Sequence, residues 1–227
     1  VLDTPPFQPE RMVEELKAAL AQGADVVICN HVSNVFGCVQ PVEEMAALCV
    51  EAGVPFLLDA SQSAGILPVR MDTLHAAFIA MPGHKGLYGP QGTGLLLCNH
   101  EAAPLLYGGT GSLSKLQTMP DMLPDRLESG THNMPGIAGL LEGICYVQRT
   151  GVETIAAHER RLTAQAVALL RQTEGIRLFW RDGLRHQTGV LSFVVEGVDC
   201  EELGEALARQ GIALRAGLHC APLAHRT

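Results

Sequence analysis

The chain has 227 residues, 47% of them hydrophobic and 18% charged, with a formal net charge of −8. That much apolar material suffices for one large or two small domains and excludes a disordered segment. The acidic balance, with no basic cluster, argues against a nucleic-acid partner, no apolar run approaches the ~18 residues of a membrane span, and 24 glycines and 13 prolines exclude a coiled coil.

Helix and strand signals alternate through the first hundred residues. Val13, Leu16 and Leu20 keep helical spacing behind Pro9, and Gly23 supplies a stop. Residues 26–29 are apolar throughout and read as a strand covered on both faces. A second helix is predicted from Pro41, with Val42, Met45, Ala46, Cys49 and Val50 on one stripe and Gly53 at its end. A second strand, 56–58, runs into Asp59. A third, 76–80, runs into Pro82, Gly83, His84 and Lys85, and a fourth, 95–98, follows the glycine-rich loop 86–94. This order predicts an α/β fold: a mainly parallel sheet with helices on both faces.

Residues 107–133 are rich in Gly, Ser, Thr and Pro and read as a loop, longer than an inert connection needs. Helices are predicted over 137–149 and, with Ile155, Leu162, Ala166 and Leu169 in register, onward to about 173. The tail reads as strand 190–195, helix 199–210 with Asp199 and Glu202 as a capping-box pair, and strand 212–215. That is a small α+β C-terminal domain, so the expected division is 1–149 and 150–227.

Seven cysteines without a CxxC pair write neither a zinc ribbon nor a dithiol motif, and no metal site is expected. Most sit in apolar runs, as Cys29 and Cys98 do, where a thiol behaves as a small hydrophobe; a reducing, cytoplasmic setting fits best. The start at Val1 and the stop at Thr227 suggest a fragment of something longer.

In open α/β sheets, ligands bind beyond the carboxyl ends of the strands. Asn34, Asp59 and Lys85 fall just past three successive strand ends, so parallel strands would let them converge. Singly, each has a bland reading: Asp and Asn there are commonly turn formers, and a Lys in a glycine-rich loop is usually solvated. Together, an amine and a carboxylate meet the needs of pyridoxal phosphate, which takes an amine as a Schiff base and an anion at its pyridine nitrogen. His31 and His132 are further candidates for which a structural role is at least as common. The 108–112 turn and Trp180 read more simply as a flexible turn and as packing of the small domain.

His31-Val32-Ser33-Asn34-Val35-Phe36-Gly37, Asp59-Ala60-Ser61-Gln62 and the run from His84-Lys85 to Gly94 resemble class-V aminotransferase-fold enzymes, especially cysteine desulfurases and selenocysteine lyases. Residues 128–133 and Arg215-Ala216-Gly217-Leu218-His219-Cys220-Ala221-Pro222 extend the likeness over nearly the whole chain. The resemblance implies an incomplete large domain of the fold-type-I transferases. It implies Lys85 as Schiff-base lysine and base, Asp59 at the pyridinium nitrogen, Gln62 and Asn34 near the ring hydroxyl, and His84 against the cofactor. Thr131 would reach the phosphate in a neighbouring subunit, which makes a homodimer expected.

Cys220 would be the thiolate that takes sulfur from L-cysteine, leaving a persulfide and alanine. Arg215 and His219 are cations that would favour its ionisation, or Arg215 would bind the substrate carboxylate. A zinc reading through His219, Cys220 and His225 lacks normal spacing. Cysteine or selenocysteine is the implied substrate, and a sulfur-acceptor protein the implied partner. An aminotransferase, an epimerase, a selenocysteine lyase and an inactive fragment are the other readings. Pro82 stands where the family has a hydroxyl, and Leu218 where one subgroup has a second histidine. A phosphate-cradling Gly-Thr turn, a stacking aromatic and a carboxylate-binding arginine are expected beyond the two ends.

Overall fold

Pro9 opens the first helix, α1 (Pro9–Ala21), where its missing N–H has no intrahelical partner to lose, and the chain leaves through Gly23 at φ 95°. The computed structural model describes residues 1–2, 4–182 and 187–226. It continues with β1 (Val27–Asn30), α2 (Val42–Ala52), β2 (Phe56–Asp59), the short α3 (Met71–Leu74), β3 (Phe78–Pro82) and β4 (Gly94–Cys98). α2 ends as predicted at Gly53: its N–H bonds Val50 O while Val54 N–H bonds Cys49 O, a Schellman closure with Gly53 left-handed.

The four strands lie in the order β1-β2-β3-β4, the first three parallel and β4 antiparallel to β3. The sheet is therefore mostly parallel, as expected. β4 reverses because loop 83–93 is shorter than the dozen or more residues a parallel crossover takes.

The expected helices on both faces need correction. Register aligns Cys29, Leu58 and Ile79 on one face, where they bury with Leu16 of α1, Met45 and Cys49 of α2, and Leu74 of α3. On the other face Ile28 is 70% exposed and Leu96 51% exposed. The reason is topological. Strands in sequential order joined by right-handed crossovers put every crossover helix on the same side, and only a reversal of strand order switches faces.

Beyond the long loop come α4 (Met134–Thr150), α5 (Val152–Leu170), β5 (Ile176–Phe179), β6 (Ser192–Val195) and α6 (Cys200–Arg209). The expected division after residue 149 falls in the last turn of α4, beside Gly151 at φ 86°. β5 pairs antiparallel with β6. β5 is not anticipated by the sequence pattern, and the strand expected over 212–215 does not form. Instead Ile212 N–H bonds back to Leu207 O, closing α6, and among the described residues 213–215 pair with no strand.

The small sheet docks on the loop after β1. Phe36 and Phe179 rings lie 5.3 Å apart, Gln187 Nε2 donates to Phe36 O at 3.1 Å, and Ser192 Oγ donates to Val35 O. Among the described residues no helix is long and apolar enough to cross a membrane.

Candidate active site at the carboxyl edge of the sheet

Two strand ends and two turns build the site. Asn30 and Asp59 are register partners at the carboxyl ends of β1 and β2. Asp59 Oδ1 accepts Ser61 N–H at 2.8 Å, a local turn that fixes the carboxylate where the strand stops. Past β3, Gly83 N–H bonds Thr93 O and Gly89 N–H bonds Gly83 O, so the loop folds back and carries Lys85 on its inner bend. That bend meets the turn after β2 through a contact between glycines. A Cβ on Gly65, itself at φ 82°, would sit 1.9 Å from Gly86 O, and one on Gly86 would sit 2.3 Å from Ala64 O.

Asn30, Val32, Asn34, Asp59, Ser61, Gln62 and Lys85 line one cavity of about 290 Å³. That is at the small end of ligand sites, which run roughly 300–1,000 Å³. Four predicted residues thus meet: Asn34, Asp59, Gln62 and Lys85. Asn30 and Ser61 were not singled out. Asn30 could have been found by placing the end of the first strand one residue later, and Ser61 lies inside the quoted Asp-x-x-Gln motif. The cavity holds an amine, a carboxylate and three carboxamides, so it can condense with a carbonyl and pair with a protonated nitrogen at the same time.

Other predicted residues lie outside that lining. His84 is exposed beside Lys85. Thr131 is exposed in the loop, one residue past Gly130, whose N–H bonds Gly108 O. His132 Nε2 lies 3.3 Å from Glu128 Oε2, and His31 is buried. Arg215 and Cys220 are exposed in the segment after α6.

Cys220 nevertheless connects to the cavity. Asn34 Nδ2 donates to the carbonyl of His219 at 2.6 Å. Partial burial lowers the His219 pKa, and the charge of Arg215 and the neighbouring His225 lower it further, so the imidazole beside Cys220 favours its neutral form. Cys29 has the opposite character: burial first, then Cys49 and Asp59, push its thiol up to about 12, which leaves it an inert packing residue. Among the described residues no group of three His, Cys, Asp or Glu side chains could hold a metal ion.

A family model described as aminotransferase class-V matches residues 3–227. The cysteine desulfurase of Synechococcus elongatus is 37% identical over 215 residues, 92% of this chain and 34% of that protein. A probable cysteine desulfurase of Pyrococcus abyssi is 36% identical over 209 residues, 88% of this chain and 51% of that one. The apo structure of a cysteine desulfurase from Thermococcus onnurineus superposes with a TM-score of 0.81 at 32% identity, over 94% of this chain and 55% of that chain. A cysteine desulfurase from Escherichia coli gives 0.86 at 26% identity, over 99% of this chain and 56% of that chain. The chain thus spans about a third to about half the length of the relatives it matches.

Proposed function

The chain belongs to the aminotransferase class-V family, and on that premise we propose that the complete protein is a pyridoxal-phosphate-dependent cysteine desulfurase. The observation that carries this reading is the one cavity shared by Lys85, Asp59 and Gln62, joined through Asn34 to the turn that bears Cys220. The donor set fits pyridoxal phosphate. Lys85 offers the amine that its aldehyde needs, Asp59 the anion for its ring nitrogen, and Gln62 an amide for its ring hydroxyl. When bound, the cofactor supplies an electron-withdrawing ring that loosens bonds at the substrate Cα.

The chain's own groups do the rest. Lys85, once free, is the base that moves the Cα proton. Cys220 attacks the substrate sulfur as a thiolate: the new S–S bond forms while the C–S bond breaks, and its electron pair stays on the substrate carbon, which takes up a proton to give alanine. Arg215 offers a guanidinium to the substrate carboxylate or to the thiolate. His84 would contact the cofactor, and Thr131, which is not among the residues lining this chain's own cavity, would serve the phosphate in a second copy of a homodimer. A sulfur-acceptor protein then relieves Cys220 of its persulfide. Residues 1–149 act as the cofactor-binding part and 150–227 as the part that brings the thiol.

Adding pyridoxal phosphate to the complete protein should give a visible absorbance band that Lys85→Ala abolishes. Cys220→Ala should keep the band and lose at least ~100-fold of alanine release from cysteine, the usual cost of removing a nucleophile. An unchanged band in the lysine variant, or normal desulfuration in the cysteine variant, would refute the corresponding assignment.

A further inference from the structure

The turn around Cys220 has an unusual backbone. His219 and Cys220 are both left-handed, at φ 52° and 61°, and neither is glycine. Two successive side chains in that region do not stay there unaided, because each Cβ crowds the neighbouring carbonyl. Three contacts from outside fix them. His225 Nε2 lies 3.2 Å from Leu218 O. Ala221 and Ala224 pack against the buried cluster of Val35, Phe36 and Cys38. Asn34 Nδ2 donates to His219 O at 2.6 Å, across 185 residues of chain.

The last contact is the informative one. The His219 carbonyl belongs to the peptide plane between the two left-handed residues. Rotating that plane changes ψ of His219 and φ of Cys220 together, so a donor on the oxygen holds both residues in the left-handed region. That donor therefore tethers the backbone from which the thiol projects to the residue that lines the cavity.

Asn34 is itself firmly placed. Ser33 Oγ accepts the N–H groups of Val35 and Phe36 at 3.3 and 3.1 Å, and Gly37 N–H bonds Ser33 O at 2.9 Å. The same residue lines the cavity with Asp59, Gln62 and Lys85.

We propose that Asn34 is a positioning residue for Cys220: its side-chain amide clamps the His219–Cys220 peptide to the rim of the cavity and so sets the thiol relative to Lys85. This rests on the desulfurase reading for its purpose, but the clamp can be tested without it. In the complete protein, Asn34→Asp removes the donor at constant size and sets a carboxylate against a carbonyl, and Asn34→Ala removes the group outright. The readout is the rate at which iodoacetamide alkylates Cys220, divided by that of Cys200, which is also exposed in this chain.

Both variants should shift that ratio several-fold and lower Cys220-dependent alanine release about tenfold, the scale of one lost hydrogen bond. The visible band of the cofactor reports separately on the place of Asn34 in the cavity. Asn34→Gln, which keeps an amide donor, should recover part of both. Unchanged alkylation of Cys220 in the Asp and Ala variants overturns the clamp, whether or not the band is lost. Should a variant also expose the buried Cys29, Cys38 and Cys49 to the reagent, it has unfolded, and Asn34→Ser, whose side chain is too short for the carbonyl, replaces it: an unchanged ratio in that folded variant refutes the proposal. If Cys220→Ala desulfurates normally, the enzymatic reading fails while the alkylation ratio still reports on the clamp.

Discussion

Lys85 owes its place to its neighbour Gly86. The bend that carries the amine lies against the turn after β2 at backbone distance, and a single methyl on Gly86 would meet Ala64 O at 2.3 Å, far inside van der Waals contact. Neither partner is the flexible end of a side chain, so the bend itself must move. Gly86→Ala should therefore cost about 1–3 kcal/mol, the usual range for overpacking. More specifically, it should weaken pyridoxal phosphate loading at least tenfold, read from the visible band across a cofactor titration, while far-UV circular dichroism stays close to that of the parent. Full loading in the alanine variant would show that the glycine contact does not set the lysine.

Residue types past strand ends were legible in the sequence: Asp59, Gln62, Lys85 and Asn34 all reach the cavity. The Gly65–Gly86 approach was not, because nothing local distinguishes a glycine that touches backbone from one that merely turns. The partner of Asn34 was hidden for the same reason, lying 185 residues away.

At the scale of elements, helices declared their ends and the shortest strands did not. Pro9, Gly23, Pro41 and Gly53 bracket α1 and α2 as expected, since capping chemistry is local. β5 and the segment 212–215 show the contrary case. Each is a short, partly apolar run, and four residues carry too little periodicity to separate strand from loop. What separates them is a partner: residues 176–179 find 192–195, and 212–215 find none among the described residues.

α6 is the element that depends most on its cap. It buries no residue fully, so packing contributes little, and Asp199 Oδ1 accepts the N–H groups of Glu201 and Glu202 at 2.8 and 3.2 Å. Asp199→Ala should cost about 1 kcal/mol. With so little packing behind it, the loss should appear as faster amide exchange across 200–209, local to that helix. Uniform exchange changes throughout the chain would contradict a capping role.

For the whole molecule, the consequence of sequential strand order is a sheet sealed on one side. Ile28 and Leu96 stand 70% and 51% exposed on the open face, and they belong to the edge strands β1 and β4. An apolar face bounded by two edges that pair with no further strand among the described residues is a template for association. It also borders the cavity, since Asn30 and Asp59 project from the same face by register. The 227-residue chain alone should accordingly bind a hydrophobic dye such as ANS and self-associate as its concentration rises, by sedimentation velocity. Ile28→Lys combined with Leu96→Lys should suppress both, because charged side chains pointing out of an exposed face and edge block further pairing. The chain covers only about a third to about half the length of the relatives described above, so the complete protein supplies the contrast. If the face is covered there, the same two lysines should lower its melting temperature by several degrees, the cost of burying charge. A dye-free, monomeric 227-residue chain would mean that the open face closes on itself in solution, and the position of Asp59 at its border would have to be redrawn with it.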